Sequence, residues 1–296
     1  MSVQLRDYQK EALKKIISVP NSLVCVKVGK GKTLSSIAAA SYFFKKDICD
    51  KAIFAGTKTS INAFVRDFKK FFDKDVEIIE DVDKFIDFFK NNQRMCIIKH
   101  SMFEKIGKNY NHLQAIELAL SANYKRVYLA LDEAHALSNA AGVGTMRSSA
   151  GVGHSCFERC RFMFSRITLM TATPYSSCLT QLYGLVHLIY PSLWEKPKEF
   201  WDNYIEVKEV RDWKTHKFQR YDKVAYKNLS HLRKVLEQFT YFYYPPVKIN
   251  FVEHYSSLKD YTEYNRICSG LLTEEEKLKL EEKRKEKLAK MRLRDE

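Results

Sequence analysis

Ser22-Leu-Val-Cys-Val-Lys-Val28 runs directly into Gly29-Lys-Gly-Lys-Thr33, and an alanine- and serine-rich stretch follows to about Lys45. The first part, from Ser22 to Lys27, reads as a buried strand built on Leu23, Val24, Cys25 and Val26. The second is a glycine-bearing turn, and the third reads as a helix opening at Thr33. Strand, turn and helix in this order make a phosphate loop. Small residues let backbone N–H groups close around phosphate oxygens, a lysine meets the β- and γ-phosphates, and a hydroxyl ligates magnesium. Gly29, Lys30 and Gly31 form the loop here, Lys32 is the phosphate lysine and Thr33 offers the hydroxyl. The pattern departs from G-x-x-x-x-G-K-[ST] at one place, since Val26 stands where the first glycine is expected.

Outward from this stretch the chain alternates between strand-like and helix-like segments. An amphipathic helix carries Leu5, Tyr8, Ala12, Leu13, Ile16 and Ile17 and ends at Pro20-Asn21. Short apolar strands are expected at Ala52–Ala55, Val76–Ile79, Met95–Ile98, Val127–Leu131 and Ile167–Met170. Helices are expected at Ile61–Phe72 and Leu113–Ser121. Such alternation predicts an α/β domain, a mainly parallel sheet flanked by helices, over residues 1–190. Residues 139–154, small and glycine-rich, read as a loop. Residues 191–246 are aromatic and basic (Trp194, Phe200, Trp201, Tyr204, Trp213, Phe218, Tyr221) and read as a helical extension. Residues 247–296 read as a link with strand character at Val247–His254, then a charged, solvated helix that Thr273 and Glu276 open as a capping box.

In open α/β sheets, ligands bind beyond the carboxyl ends of the strands. Three candidate sites fall there. Besides the loop, Val127–Leu131 runs into Asp132-Glu133-Ala134-His135, and Ile167–Met170 runs into Thr171-Ala172-Thr173-Pro174. Asp132 suits Mg²⁺ coordination and Glu133 suits polarising an attacking water, since adjacent side chains at a strand end point different ways. Thr171 and Thr173 offer hydroxyls that bridge His135 to the rest of the molecule.

Bulk properties narrow the class. The 296 residues carry 45% hydrophobic and 29% charged side chains, ordinary for a chain with a sizeable core. No apolar run of about 18 residues exists, so neither a membrane span nor a membrane partner is expected. The polar N-terminus and seven scattered cysteines, an odd number without a C-x-x-C pair, point to an intracellular, reducing setting. The spacing of His154, Cys156 and Cys160 matches no standard zinc motif. A net charge of +14 attracts polyanions.

Together these segments resemble superfamily-two helicases and translocases, and within them the Swi/Snf-type translocases of double-stranded DNA. Leu5-Arg-Asp-Tyr-Gln9 is similar to the opening motif, which implies that Gln9 reads adenine. Val28–Thr33 resembles motif I, Ile53–Lys58 motif Ia, Ile97–Ser101 motif Ib, Leu131–His135 with Asn139 motif II, and Leu169–Pro174 motif III. Leu182–Pro191 resembles the helix after motif III. Pro245–Lys248, with Ser256–Tyr261 and Tyr264, resembles the link toward a second lobe. Two departures stand out: no proline occupies Gly56 or Thr57, and Ala172 replaces the usual glycine of motif III.

The resemblance implies a RecA-like, ATP- and Mg²⁺-using N-terminal motor lobe acting on DNA, probed through Thr57, Lys58, His100 and Ser101 at phosphates. It also implies a second RecA-like lobe, in the same or another chain, that supplies an arginine finger. Nothing after Tyr264 resembles such a lobe, and Arg284, Arg292 and Arg294 have no strand-loop context. The isolated chain is therefore expected to hydrolyse ATP poorly. Two alternatives stay open at this point: a strand-separating repair or RNA-remodelling helicase, and a non-catalytic nucleic-acid-binding module with a motor fold.

Overall fold

The computed structural model describes residues 4–73, 75–123, 126–138, 149–175, 179–211 and 218–245. Asn139, the expected strand at Val247–His254, the link through Tyr264 and the charged helix opened by Thr273 lie outside them.

Seven strands form one sheet in the order β3-β4-β2-β5-β6-β1-β9. They are β1 (Asn21–Val26), β2 (Lys51–Gly56), β3 (Ile78–Ile79), β4 (Met95–Lys99), β5 (Val127–Leu131), β6 (Arg166–Thr171) and β9 (Thr240–Tyr243). Every pairing in it is parallel. Parallel neighbours need crossovers, and the crossovers cover both faces with helices, so the strands must be apolar on both sides. The residues obey this. Leu23, Cys25, Ile53, Ala55, Leu129, Leu131, Ile167 and Leu169 enter one core. Their neighbours Val24, Val26, Ala52, Phe54, Tyr128, Ala130 and Met170 enter the other.

The second core is closed by α1 (Asp7–Ser18), α2 (Lys32–Lys45) and α3 (Lys58–Phe72). In α3 the spacing of Ile61, Phe64 and Phe68 brings all three onto Phe54 and its neighbours. The first core is closed by α4 (Val82–Lys90), α5 (Ser101–Gly107), α6 (Tyr110–Asn123), α7 (Ser149–Cys160) and α8 (Thr180–Ile189). Neither α4 nor α5 is among the helices expected from the sequence. Asp81 caps α4 by accepting the N–H groups of Asp83 and Lys84, and Phe85, Ile86, Phe88 and Phe89 turn its buried face inward.

Two expectations are corrected. The loop expected at 139–154 is helical from Ser149, within α7. Its small residues serve close packing. A Cβ on Gly153 would meet Leu137 Cδ2 at 2.9 Å, and one on Gly107 of α5 would meet the Cys156 carbonyl oxygen at 2.7 Å. The extension at 191–246 is not helical throughout. It holds α9 (Pro197–Tyr204) and α10 (Leu229–Glu237), but also an antiparallel hairpin of β7 (Ile205–Arg211) and β8 (Phe218–Tyr226). The alternation in Ile205-Glu-Val-Lys-Glu-Val210 has period two, a strand signal that aromatic density obscures. β9 then rejoins the main sheet beside β1, where Tyr243 stacks on Tyr8 with ring centroids 4.4 Å apart.

Candidate functional site

Because all seven strands run the same way, the ends of β1, β2, β4, β5 and β6 open on one edge of the sheet. A cleft of about 710 Å³ lies there, lined by Arg6, Tyr8 and Gln9, by residues 28–34, by α3, and by Asp132 and Glu133. The loop and the acidic pair, a hundred residues apart in sequence, face the same space.

The loop takes its shape from two glycines. Gly29 and Gly31 have φ values of +75° and +74°, in the left-handed region that side chains disfavour. A Cβ on Gly31 would also lie 2.5 Å from Gln9 Nε2. Lys32 and Thr33 open α2, both buried, and Lys32 Nζ donates to the Val26 carbonyl at 3.3 Å. Val26, the departure from the loop consensus, is the last residue of β1 and belongs to the core. Gln9 Oε1 accepts the Arg6 N–H at 3.0 Å, and Gln9 Nε2 donates to the Lys30 carbonyl at 3.2 Å. The amide therefore ties the start of α1 to the loop.

Asp132 is 7% exposed, and its Oδ1 has no hydrogen-bond partner. Burial raises the carboxyl above its usual value. Lys32 opposes that rise and Glu133 adds to it. A buried carboxylate oxygen without a partner, in a cleft that the Thr33 hydroxyl also lines, is a pair of oxygen donors suited to a hard divalent cation. Glu133 is held the other way. A hydrogen bond from His135 lowers it, outweighing its partial burial, and Lys32 lowers it further. Two neighbouring carboxyls with opposed environments suit two different roles.

His135 joins the acidic pair to the end of β6. Its Nδ1 lies 3.2 Å from Glu133 Oε2 and 3.1 Å from Thr171 Oγ1. A carboxylate only accepts, so Nδ1 carries the proton. Thr171 Oγ1 in turn accepts the Thr173 N–H at 3.0 Å.

The four residues expected at phosphates diverge. Thr57 caps α3, accepting the Ser60 N–H at 3.3 Å, and lines the cleft. Lys58 and Ser101 are exposed at the first positions of α3 and α5. His100 faces inward instead: its Nε2 donates to the Asp132 carbonyl at 2.8 Å, and burial lowers the ring to about 4. The neutral ring has one N–H, already spent, and none for a phosphate.

The family described as "Type III restriction enzyme, res subunit" matches residues 2–176, more than half of the chain. The chain belongs to this helicase family. Similar to this res-subunit-family chain are the chromatin-remodeling ATPases INO80 of Aspergillus oryzae, 22% identical over 210 residues, and of Pyricularia oryzae, 23% identical over 212. Each alignment covers 68% of this chain but only 14% and 10% of those relatives. Among solved structures, the Sulfolobus solfataricus SWI2/SNF2 ATPase core in complex with dsDNA shares the fold. Its TM-score is 0.53 at 14% identity, covering 82% of this chain and 45% of that one. The superfamily-two, Swi/Snf-type resemblance of the motifs is thereby borne out.

Sequence reading of this res-subunit-family chain missed Ser60, Arg66 and Lys70, which reach the cleft from α3. The signal was present, because positions 60, 63, 66–67 and 70 share one stripe of the helix whose other stripe is Ile61, Phe64 and Phe68. No group among the described residues could hold a metal through three His, Cys, Asp or Glu side chains, and Cys156 and Cys160 are buried free thiols. No described helix is long and apolar enough to cross a membrane.

Proposed function

We propose that this chain is the ATP-binding lobe of a DNA-dependent ATPase that translocates on or remodels double-stranded DNA. The observation that carries the reading is the convergence of the Gly29–Thr33 loop and the Asp132-Glu133 pair on one cleft, with His135 touching both Glu133 and Thr171.

Backbone N–H groups of Gly29 to Thr33, at the start of α2, bind the phosphates, and Lys32 adds the charge-assisted contact. Thr33 and Asp132 are the protein ligands for Mg²⁺, which when bound neutralises charge on the phosphates. The unpartnered Asp132 Oδ1 supports that fit. Glu133 orients water and accepts its proton, and the hydrogen bond from His135 keeps its carboxylate ionised and aimed. Gln9 reads the nucleobase edge, and its contacts with the Arg6 N–H and the Lys30 carbonyl, which anchor it beside the loop, support that role. His135, Thr171 and Thr173 couple nucleotide state to the end of β6. Thr57, Lys58 and Ser101 contact DNA phosphates, and the net charge of +14 favours that partner.

A second RecA-like lobe completes the site and supplies the arginine that stabilises charge on the γ-phosphate, worth about 10³–10⁵ in rate in comparable motors. The isolated 296 residues therefore bind ATP weakly and turn it over slowly. The names of the similar proteins, chromatin-remodeling ATPases and a core bound to dsDNA, support the double-stranded reading. The test is triplex displacement against unwinding of a tailed duplex, both with the complete protein and ATP. Displacement without unwinding is expected; unwinding without displacement would overturn the proposal in favour of a strand-separating helicase.

A further inference from the structure

His100 sits at the end of β4, and β2 lies between β4 and β5 in the sheet. Its backbone N–H donates to the Gly56 carbonyl of β2 at 3.1 Å. Its ring continues past β2 and donates from Nε2 to the Asp132 carbonyl at 2.8 Å, just beyond β5. One residue thus spans two strand spacings, about 9–10 Å, and meets the chain at the acidic pair. The Asp132 N–H donates to the Ala55 carbonyl at 2.8 Å, so that residue is held on both sides of its Cα.

The carbonyl that His100 grips belongs to the peptide joining Asp132 to Glu133. That peptide plane carries ψ of Asp132 and φ of Glu133, the two torsions that together set how the residues are angled to each other and so how their carboxylates are aimed. Glu133 has a φ of +50°, a left-handed conformation that costs a non-glycine residue about 1–2 kcal/mol. Left to itself the peptide would relax away from it. A hydrogen bond to the same peptide, worth about 0.5–1.5 kcal/mol, offsets much of that cost.

We infer that His100 is a positioning residue of the nucleotide site: by holding the Asp132–Glu133 peptide, its ring sets the direction of the carboxylate that meets the metal-bound phosphates. The inference rests on the reading of Asp132 as a Mg²⁺ ligand given above. It also links the start of α5, where Ser101 is exposed, to the cleft through a single side chain.

The test uses the 296-residue chain and a fluorescent ADP analogue, titrated with Mg²⁺ and also bound in its absence. Glutamine places an amide nitrogen near the imidazole Nε2 position and asparagine near Nδ1, so the two substitutions separate donor geometry from bulk. His100→Asn and His100→Ala should raise the Mg²⁺ half-saturation about fivefold, the effect of losing one net hydrogen bond. His100→Gln should stay within about twofold, and Mg²⁺-free binding should be unchanged in all three. His100→Ala and His100→Asn matching the wild type would overturn the inference. So would equal losses with and without Mg²⁺, or His100→Gln failing as badly as His100→Asn. A wild-type chain whose nucleotide binding ignores Mg²⁺ would instead bring down the reading of the site itself, and this inference with it.

Discussion

Replacing Gly184 by alanine should loosen the segment that carries His135. Gly184 lies inside α8, against the turn that follows the acidic pair. A Cβ there would sit 1.6 Å from the Ser138 carbonyl oxygen and 2.5 Å from the carbonyl carbon. Real Cβ atoms essentially never come within 3.0 Å of a neighbour, so the two backbones must part by about 1.4 Å, from 1.6 Å to 3.0 Å. No side chain can rotate to absorb this, because both partners are main chain. Alanine gains about 1 kcal/mol of helix propensity over glycine, while overpacking of this kind costs about 3 kcal/mol. The clash wins, by about 2 kcal/mol. For a domain of this size that lowers Tm by about 4–8 °C. The displacement also reaches the site, since the Ser138 N–H and Oγ donate to the His135 carbonyl at 3.1 and 2.7 Å. A shift of about 1 Å in such a support can cost roughly a hundredfold in rate. Thermal unfolding of the 296-residue chain, with and without the substitution, is the assay. A Gly184→Ala chain as stable as the wild type, or more stable, would refute the packing argument, because propensity would then have prevailed.

Two further outcomes follow from the site and its surroundings. Glu133→Gln in the complete protein should keep nucleotide binding and lose at least about a hundredfold in turnover, the usual worth of a positioned base; unchanged turnover in a steady-state phosphate-release assay would remove Glu133 from that role. Glu158 of α7 is placed 3.0 Å from His187 Nε2 and 3.5 Å from His154 Nδ1. Burial pushes its carboxyl up, yet the two histidines outweigh burial and hold it at about 2, against an ordinary 4.5. A depressed carboxyl stabilises the fold above the unfolded value, so this contribution is present above about pH 4.5 and fades as pH falls toward 2. Glu158→Gln should therefore lower Tm at pH 7 and converge with the wild type near pH 2; a gap that stayed constant across that window would contradict the assignment.

The motifs carried much of this protein without help from the fold. A phosphate loop, an acidic pair at a strand end and paired threonines at another are local patterns, because each needs only a few adjacent residues and a strand to present them. Buried strands were equally readable, since a parallel sheet covered on both faces forces unbroken apolar runs such as Leu23–Val26 and Val127–Leu131. At nine residues α4 is too short to display a long 3.6-residue period, although Asp83, Asp87 and Lys90 form a polar stripe opposite its phenylalanines, and aromatic density masks the alternation of the β7–β8 hairpin.

Tertiary structure alone decided what depends on residues distant in sequence. Gln9 braces Lys30, Gly184 makes room for Ser138, and Tyr243 returns from the far end of the described chain to stack on Tyr8. His100 is the clearest case. From the sequence it stands with Thr57, Lys58 and Ser101 as a phosphate contact, because Ile97–Ser101 resembles motif Ib. Which way its ring turns depends on the strand order, which sets β5 two places from β4 and brings the Asp132 carbonyl within reach. Strand order is fixed by long-range packing of the two cores, and no local pattern around residue 100 encodes it.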